Sequence, residues 1–192
     1  VKIDELALHA IARGADGGMR DAESTLDQLI SFCGDKIQEG DVLSMFGLSS
    51  QSQVLSLANA VLRGEAETAL RELDELTNSG KELGRLVSDL LNHFRNLMVY
   101  QVSNGDVSLL EISELEKTAL AEQAKLANGS AVSRILEVFT DCEFQLRNAA
   151  SKKILVEVSL MKAIQAAGAM SIDDVLRKLN ELRTEGGEAV AA

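Results

Sequence analysis

Residues 81–102 read KELGRLVSDLLNHFRNLMVYQV and have the periodicity of an amphipathic helix. Apolar side chains recur at positions i, i+3, i+4 and i+7, a spacing that places them on one helix face. They are Leu83, Leu86, Val87, Leu90, Leu91, Phe94, Leu97 and Met98. The same period of about 3.6 residues continues through almost the whole chain, so the sequence predicts an all-α fold.

The composition favours packing of helix on helix. The chain has 192 residues, of which 46% are hydrophobic but only 3% aromatic, and it contains no Trp and no Pro. Its core must therefore be built mainly from Leu, Ile, Val, Met and Ala, which suits helical bundles better than β-sandwiches. The length is sufficient for one domain or for two small ones.

The pattern places helices along most of the chain. The first runs from the cap Asp4 to about residue 14, with Leu6 and Ile11 facing inward. The second runs from about Met19 to Phe32 and has one apolar face, made of Ala22, Leu26, Leu29, Ile30 and Cys33. The others cover about residues 41–45, 51–62, 65–78, 81–102 and 114–126, a stretch that begins at Ser130, residues 152–168, and residues 171–183 with Ser171 as cap.

The small polar segment GLSSQS, residues 47–52, is the predicted domain boundary. We expect a small three-helix domain over residues 1–48 and a helical bundle over residues 49–168. Residues 169–192 are expected to form a last helix and a frayed tail that leads to a missing extension.

The helix KKILVEVSLMKAIQAAG, residues 152–168, is apolar on nearly every side between Ile154 and Ile164. This pattern predicts the most buried helix of the set. Lys152 and Lys153 mark either an exposed helix start or a contact with a neighbouring subunit, and the sequence leaves both open.

Charge and residue types exclude several classes of function. The net charge is −11 and no long basic stripe is present, so any contact with DNA or RNA should be indirect. Cys33 and Cys142 lie among apolar residues and are predicted to be reduced core side chains. His9 and His93 have no partners at metal-ligand spacing, so no metal site is expected, and His93 is predicted to lie at a core edge or on the surface.

The sequence contains no recognisable targeting signal. No segment has the length of an apolar membrane span and no signal peptide is visible, so we expect a cytoplasmic protein without a membrane partner. The chain begins at Val1 rather than Met, and no strand-like segment is predicted before the first helix. We therefore expect an excised piece of a longer intracellular protein.

The stretch DGGMRDAES, residues 16–24, contains a candidate anion site. Gly18 can cap the second helix, and Asp21 can bond back to the amide of that cap. Arg20 lies in the first turn, where the helix dipole is already positive, which suggests that a phosphate arrives from outside. Alternatively Arg20 pairs with Asp16, Asp21 or Glu23 on a solvated surface, and taken alone the stretch favours this second interpretation.

The run ALHAIARGADGGMRDAESTLDQLISFCG, residues 7–34, resembles the small helical lid of the bacterial DNA polymerase III gamma/tau family, the AAA+ ATPases of the replicative clamp loader. The lid pattern of that family is like A-x-G-S-x-R-D-A-x-S-x-x-D-Q. Its matching positions here are Ala15, Gly17, Gly18, Arg20, Asp21, Ala22, Ser24, Asp27 and Gln28. The departure is Gly18, where the family often has Ser.

Residues 50–165 resemble the helical collar of the same family, most clearly in KILVEVSLMKAI, although the proline that the family often has near the start of this helix is absent. The resemblance implies that the collar assembles with other clamp-loader subunits, namely gamma/tau, delta and delta-prime. It further implies that the assembled ring places the sliding clamp on primed DNA, which this chain reaches only indirectly.

The resemblance assigns roles to two residues of the lid. Arg20 matches the sensor-2 arginine, a catalytic residue that reaches the γ-phosphate of ATP and acts only with a missing ATPase domain. Met19 is implied to line the nucleotide pocket beside it. ATP is then a cofactor of the parent protein, with Mg²⁺ held by the missing domain, and neither is expected to bind this chain alone.

The chain lacks the motifs that bind and hydrolyse ATP. We find no G-x-x-x-x-G-K-[ST] loop, and GKELGR at residues 80–85 has only a Gly-Lys pair with no strand before it. The chain alone is therefore expected to bind ATP weakly or not at all and to hydrolyse none. Two alternatives remain at this point, a stand-alone helical adaptor or scaffold with no nucleotide role and a small helical enzyme.

Overall fold

The computed structural model describes residues 1–15, 17–46, 49–110 and 112–169. Within these residues the chain forms nine helices and one pair of two-residue strands. They are β1 (Lys2–Ile3), α1 (Glu5–Gly14), α2 (Met19–Cys33), β2 (Lys36–Ile37), α3 (Glu39–Phe46), α4 (Gln51–Arg63), α5 (Ala66–Asn78), α6 (Leu83–Val102), α7 (Glu114–Gln123), α8 (Gly129–Leu146) and α9 (Lys152–Gly168). The all-α prediction is confirmed, whereas the predicted helix 171–183, its cap Ser171 and the frayed tail lie outside the described residues.

The prediction that no strand-like segment precedes the first helix was wrong. β1 precedes α1 and pairs in parallel with β2, so that Lys2 lies opposite Lys36 and Ile3 opposite Ile37. Two residues are too few to show the alternation that predicts a strand from sequence. The pairing ties the beginning of the chain to the segment that follows α2.

Side-chain caps define several helix starts. Asp4 accepts a hydrogen bond from the amide of Ala7 at 2.6 Å, which confirms its predicted role at the start of α1. The helix predicted to begin at Ser130 begins instead at Gly129, because the side chain of Asn128 accepts from the amide of Ala131 at 2.9 Å. Asparagine is a strong N-cap, so it starts α8 rather than ending the helix before it.

The buried apolar side chains form two clusters. The smaller one joins α1, α2, β2 and α3, and consists of Ala7, Ala10, Ile11, Leu29, Ile37, Val42 and Leu43. The larger one extends from Val54 in α4 to Ala163 in α9. Leu6 was predicted to face inward with Ile11 but is 41% exposed, because Ala7 and Ala10 occupy the interior side of α1. The predicted boundary at residues 47–52 falls between the clusters and remains a prediction, since residues 47 and 48 are not described.

The larger cluster is centred on α6 and α8. Leu90, Phe94 and Leu97 of α6 are fully buried, and the ring of Phe94 stacks on that of Phe139 in α8 with centroids 5.7 Å apart. Cys142 is free and buried in the same core, and burial raises the pKa of its thiol, so it remains a protonated apolar side chain as predicted. Among the described helices, none combines the length and the hydropathy that a bilayer crossing requires.

The prediction that residues 152–168 form the most buried helix was wrong. α9 buries one face, with Val156, Ser159, Leu160 and Ala163. Ile154, Val158 and Met161 on the opposite face are 60%, 44% and 36% exposed. α4 is more deeply enclosed and buries seven side chains over its 13 residues. An apolar sequence shows that a helix can be buried, but the neighbouring helices determine which face is covered.

Candidate functional site

The turn between α1 and α2 contains the two glycines of the predicted anion site. Gly17 has a φ of +80°, in the left-handed region that residues with a Cβ rarely adopt. Gly18 is the N-cap of α2, and its amide donates to the carbonyl oxygen of Ala15 at 2.8 Å. This backbone turn replaces the predicted bond from Asp21 to the same amide. Asp16, one of the predicted partners of Arg20, lies outside the described residues.

The start of α2 has no side-chain cap. Gly18 supplies no side-chain oxygen, so the first amides of α2 lack the acceptor that Asp4 provides at the start of α1. A Cβ at position 18 would lie 2.7 Å from Oδ2 of Asp21, so a serine there would require this carboxylate to move. Among the described residues, no side chain caps the first turn of α2, which lies at the positive end of the helix dipole.

Arg20 and Met19 project from this helix start into solvent. The side chain of Arg20 is exposed, and that of Met19 is 76% exposed. Within the described part of the chain, neither Asp21 nor Glu23 forms an ion pair with the guanidinium. The guanidinium is thus available to an anion that approaches from outside the described residues. The sensor-2 role of Arg20 and the pocket-lining role of Met19 remain predictions.

Packing of α2 fixes the position of this first turn. The predicted apolar face is confirmed, since Leu29 is buried and Ala22, Leu26, Ile30 and Cys33 pack against the smaller cluster. The hydroxyl of Thr25 donates to the carbonyl oxygen of Asp21 at 2.8 Å and is itself buried. Arg20 therefore extends from a helix that is held along its length, rather than from a free loop.

The end of α1 contacts the larger helical bundle. Nη2 of Arg85, in the first turn of α6, donates to the carbonyl oxygen of Gly14 at 3.4 Å. Gly14 is the last residue of α1 and precedes the glycine turn. A cavity of about 510 Å³ lies between α1 and the bundle, and its lining includes Leu6, His9, Ala10, Gln51, Ile112 and Glu116. The glycine turn is thus linked to the bundle through α1.

The GKELGR segment has the structure of a capped helix start. Gly80 has a φ of +74° and ends the preceding turn. The carboxylate of Glu82 accepts from the amides of Gly84 at 3.0 Å and Arg85 at 2.6 Å. A phosphate loop needs such amides free for its ligand, whereas here a carboxylate already occupies them. Among the residues that the structure describes, no group of three or more His, Cys, Asp or Glu side chains is arranged to hold a metal ion.

His93 is a structural residue in the middle of the bundle. It is 3% exposed, deeper than the core edge that the sequence predicted. Its Nε2 lies 2.5 Å from Oε1 of Gln123, whose amide nitrogen donates to the carbonyl oxygen of Leu55 at 3.0 Å. Burial lowers the pKa of His93, so the ring is neutral and donates its Nε2–H to Gln123. Nothing in the sequence indicates Gln123 as this partner, because a single Gln on a weakly amphipathic helix has no recognisable signature.

The two lysines at the start of α9 form ion pairs within the chain. Nζ of Lys153 lies 2.6 Å from Oδ1 of Asp74 in α5, and Nζ of Lys152 lies 3.9 Å from a carboxylate oxygen of Glu82. The hydrogen bond and charge of Lys153 lower the pKa of Asp74. These pairs hold the start of α9 against α5 and the beginning of α6.

Comparison with known families accounts for both parts of the chain. Residues 37–179 match the model of domain III of the DNA polymerase III subunits gamma and tau. The chain belongs to this family. Residues 1–35 match the ATPase lid domain of the DNA polymerase III clamp loader subunit. The resemblance seen in the sequence is therefore confirmed, since both parts of the chain match families of DNA polymerase III clamp-loader subunits.

The relatives in this family are longer than the chain. The tau subunit of Bacillus subtilis is 30% identical over 190 residues, which are 96% of this chain and 34% of the relative. The gamma/tau subunit of Mycobacterium tuberculosis H37Rv is 23% identical over 188 residues, which are 96% of this chain and 32% of the relative. The chain thus spans about a third of the length of these curated relatives.

A solved structure shares the fold. The clamp loader delta protein of Bacillus subtilis has a TM-score of 0.54 and 18% identity, with 85% of this chain and 51% of that chain covered. At this level of identity the likeness supports the helical architecture alone.

Proposed function

We propose that this chain forms the nucleotide-sensing lid and the collar of a clamp-loader ATPase subunit. Residues 1–48 are the lid and residues 49–168 the collar in this proposal. The observation that carries it is the exposed guanidinium of Arg20 at an uncapped helix start, within the segment that matches the ATPase lid family. ATP would be bound by an ATPase domain elsewhere in the longer subunit, which would also hold Mg²⁺.

Arg20 is proposed to bind the terminal phosphate of that ATP when the lid closes. Its planar donors match phosphate oxygens, and the positive end of the α2 dipole, where no described side chain caps the helix, favours an anion. A charge-assisted hydrogen bond of this kind contributes about 1.5–3 kcal/mol. Met19, which is exposed next to Arg20, is proposed to pack against the nucleotide. Both residues act only when the ATPase domain covers this face.

We propose that the contact between α1 and the bundle couples the orientation of the lid to that of the collar. The small hydrophobic cluster packs α1 and α2 together. A displacement of Arg20 toward bound ATP would therefore move both helices. Gly14, at the end of α1, contacts Arg85 at the beginning of α6. Closure of the lid on ATP would therefore tilt it against the long central helix of the bundle.

The collar is proposed to assemble with other loader subunits, namely gamma/tau, delta and delta-prime. The match of residues 37–179 to domain III of the gamma and tau subunits supports this role. The sliding clamp and primed DNA would be reached through the parent assembly. The net charge of −11 supports an indirect relation to DNA.

Substitution of Arg20 in the full-length subunit tests the proposal. We expect Arg20→Ala in a reconstituted loader to lower ATP hydrolysis and clamp loading by about 10-fold to 100-fold, the equivalent of one lost charge-assisted bond. Lys36→Ala removes another exposed lid cation and should leave both rates unchanged. Full activity of the Arg20→Ala loader would remove the sensor assignment and favour the adaptor alternative.

A further inference from the structure

The hairpin of α8 and α9 has an apolar surface that no described residue covers. Ile154, Val158 and Met161 are exposed on α9, where they are spaced at i, i+4 and i+7. Phe144, near the end of α8, is 78% exposed and lines the same groove as Ile154 and Val158. We call these four residues the hairpin surface. Apolar side chains grouped in this way mark a contact surface.

The groove at the hairpin surface has a volume of about 650 Å³. Phe144, Ile154, Leu155 and Val158 form its apolar lining. Among the described residues that line it, Lys162 alone is charged. The groove can therefore receive apolar side chains from another molecule.

The hairpin is basic, although the chain as a whole is acidic. Residues 144–162 contain four Lys or Arg residues and one acidic residue, which gives this stretch a net charge of +3 in a chain of net charge −11. Lys152 and Lys153 pair with carboxylates of the same chain. Arg147 and Lys162 are exposed, and neither takes part in an ion pair among the described residues. These two cations favour a partner that presents carboxylates beside apolar groups.

The segment that follows α6 has the complementary charge. Residues 102–126 contain five acidic and two basic residues, so their net charge is −3. Apolar side chains are exposed there as well, at the end of α6, in the turn that follows it and after α7. We call the following exposed residues the acidic surface: Val102, Asp106, Leu109, Glu122 and Leu126.

Hydrogen bonds hold the acidic surface at the end of α6. The amide of Gly105 donates to the carbonyl oxygen of Tyr100 at 2.8 Å, and the amide of Ser108 donates to Oδ1 of Asp106 at 2.9 Å. The bond from Ser108 lowers the pKa of Asp106, so this exposed carboxylate is ionised at neutral pH. Nε2 of Gln101 donates to the carbonyl oxygen of Ala127 at 2.6 Å, which brings the residues after α7 to the same end of α6.

The two surfaces lie at opposite ends of the bundle. The hydroxyl of Ser88, near the start of α6, donates to Oε1 of Glu143, near the end of α8, at 2.5 Å. Gln101, near the end of α6, contacts Ala127 just before α8 begins. α6 and α8 are therefore antiparallel, and the 20 residues of α6 separate the surfaces by about 30 Å. Contact between a hairpin surface and an acidic surface thus requires two copies of the chain.

We propose that the hairpin surface of one copy of this chain packs against the acidic surface of a second copy. The exposed apolar groups of the acidic surface would enter the groove beside Phe144, and its carboxylates would lie next to Arg147 and Lys162. Since the interface joins two different surfaces, association continues head to tail into a ring or an open chain. This pairing, which rests on the proposed assembly role of the collar, gives the collar its two contact surfaces.

Charge favours this pairing over contact between two hairpin surfaces. A net charge of +3 on each hairpin would oppose their association, because like charges across an interface are repulsive. The hairpin and the acidic surface instead bring +3 against −3. Association should therefore weaken as the salt concentration rises and screens these exposed charges.

Analytical sedimentation of the 192-residue chain tests the apolar part of the interface. At up to about 100 μM protein, which detects micromolar affinity, we expect species larger than a monomer. Phe144→Ser should weaken this association by about 10-fold to 100-fold, because it removes an aromatic anchor. The matched control, Phe32→Ser, changes a phenylalanine that is 84% exposed on α2 and should leave association unchanged. A wild-type chain that stays monomeric, or equal effects of the two variants, would overturn the proposal.

Exchange of charges tests which surfaces meet. One variant carries Arg147→Glu with Lys162→Glu, and the other carries Asp106→Lys with Glu122→Lys. Each variant then has charges of the same sign on both surfaces, so we expect each alone to be monomeric. An equimolar mixture should associate again, because each hairpin surface meets a surface of opposite charge on the other variant.

Two results of the exchange would overturn the proposal. Wild-type association of the Asp106→Lys, Glu122→Lys variant alone would show that the hairpin binds some other surface. A mixture that stays monomeric would show that the two surfaces do not meet. These measurements contain no nucleotide, whereas the test of Arg20 measures ATP hydrolysis by the full-length subunit, so failure of this pairing is distinguishable from failure of the proposed function.

Discussion

We expect the stability of this protein to fall as the pH is lowered below about 6.5, because His93 is buried in its neutral form. Burial lowers the pKa of His93 below its ordinary value of 6.5, and the hydrogen bond to Gln123 and the charge of Glu116 oppose this shift only in part. In the unfolded chain the imidazole is in water and has its ordinary pKa. The unfolded state therefore takes up a proton that the folded state does not.

The sign and the size of the effect follow from this difference in bound protons. The stability that neutral His93 contributes is fully present above the unfolded-state pKa, and it is lost as the pH falls toward the folded-state pKa. A difference of one proton gives a slope of at most about 1.4 kcal/mol per pH unit, a tenfold change in the folding equilibrium. Protonation in place also leaves a buried charge, because the described hydrogen-bond partner of His93 is the neutral side-chain amide of Gln123, and the charge of Glu116 offsets the loss of solvation only in part.

Urea unfolding measured between about pH 7.5 and pH 5.5 checks this expectation above the range in which carboxylates usually titrate. His93→Gln keeps an N–H donor near the position of Nε2 but cannot titrate. We expect this variant to lose the slope, and to be less stable than the wild type at the upper pH because the edge contact of the ring with Phe94 is removed. His9→Gln, which changes the exposed histidine, should retain the wild-type slope.

Two results would refute this reasoning. If the free energy of unfolding of the wild type does not change with pH in this range, the folded and the unfolded states bind the same number of protons at His93. A slope that persists in His93→Gln would assign the proton to another group.

Three further predictions concern the turn, the link to the bundle and nucleotide chemistry. Gly17→Ala should destabilise the protein by about 1 kcal/mol because φ is +80° there, whereas Gly40→Ala, within helix α3 with open space around its Cβ, should be neutral or stabilising, as measured by thermal unfolding. Arg85→Ala should speed amide hydrogen exchange at residues 11–15 by about 2-fold to 10-fold, the equivalent of one weak hydrogen bond, and Arg71→Ala, which changes an exposed arginine of α5, should not. The chain alone should show no measurable ATP turnover in a phosphate-release assay, and turnover above background would contradict the need for a separate ATPase domain.

The helices and several of their starts could be predicted because these features are local. Asp4 and the apolar face of α2 were assigned correctly, since cap and period depend on residues within a few turns. Arg20 was singled out for a similar reason, because a cation in the first turn opposes the helix dipole. The family was indicated by the motif around Arg20 and by the collar helix.

Other features could not be read from local sequence. The contact of Arg85 with Gly14 joins residues 71 positions apart, and the Gln123–Leu55 bond joins residues 68 apart. Leu6 and Ile11 look equivalent in the pattern of α1, yet only Ile11 is buried. The pairing of β1 with β2 also depends on a partner more than 30 residues away.

By itself the sequence determined that this chain is helical, where most of its helices run, and that an arginine stands at a glycine-capped helix start. These properties arise from backbone preferences and apolar period, which act over a few residues. Only the tertiary structure decided which sides of those helices are covered. α9 shows this most directly, because burial of an apolar face requires a neighbour, and the described neighbours α4, α5, α6 and α8 leave Ile154, Val158 and Met161 exposed.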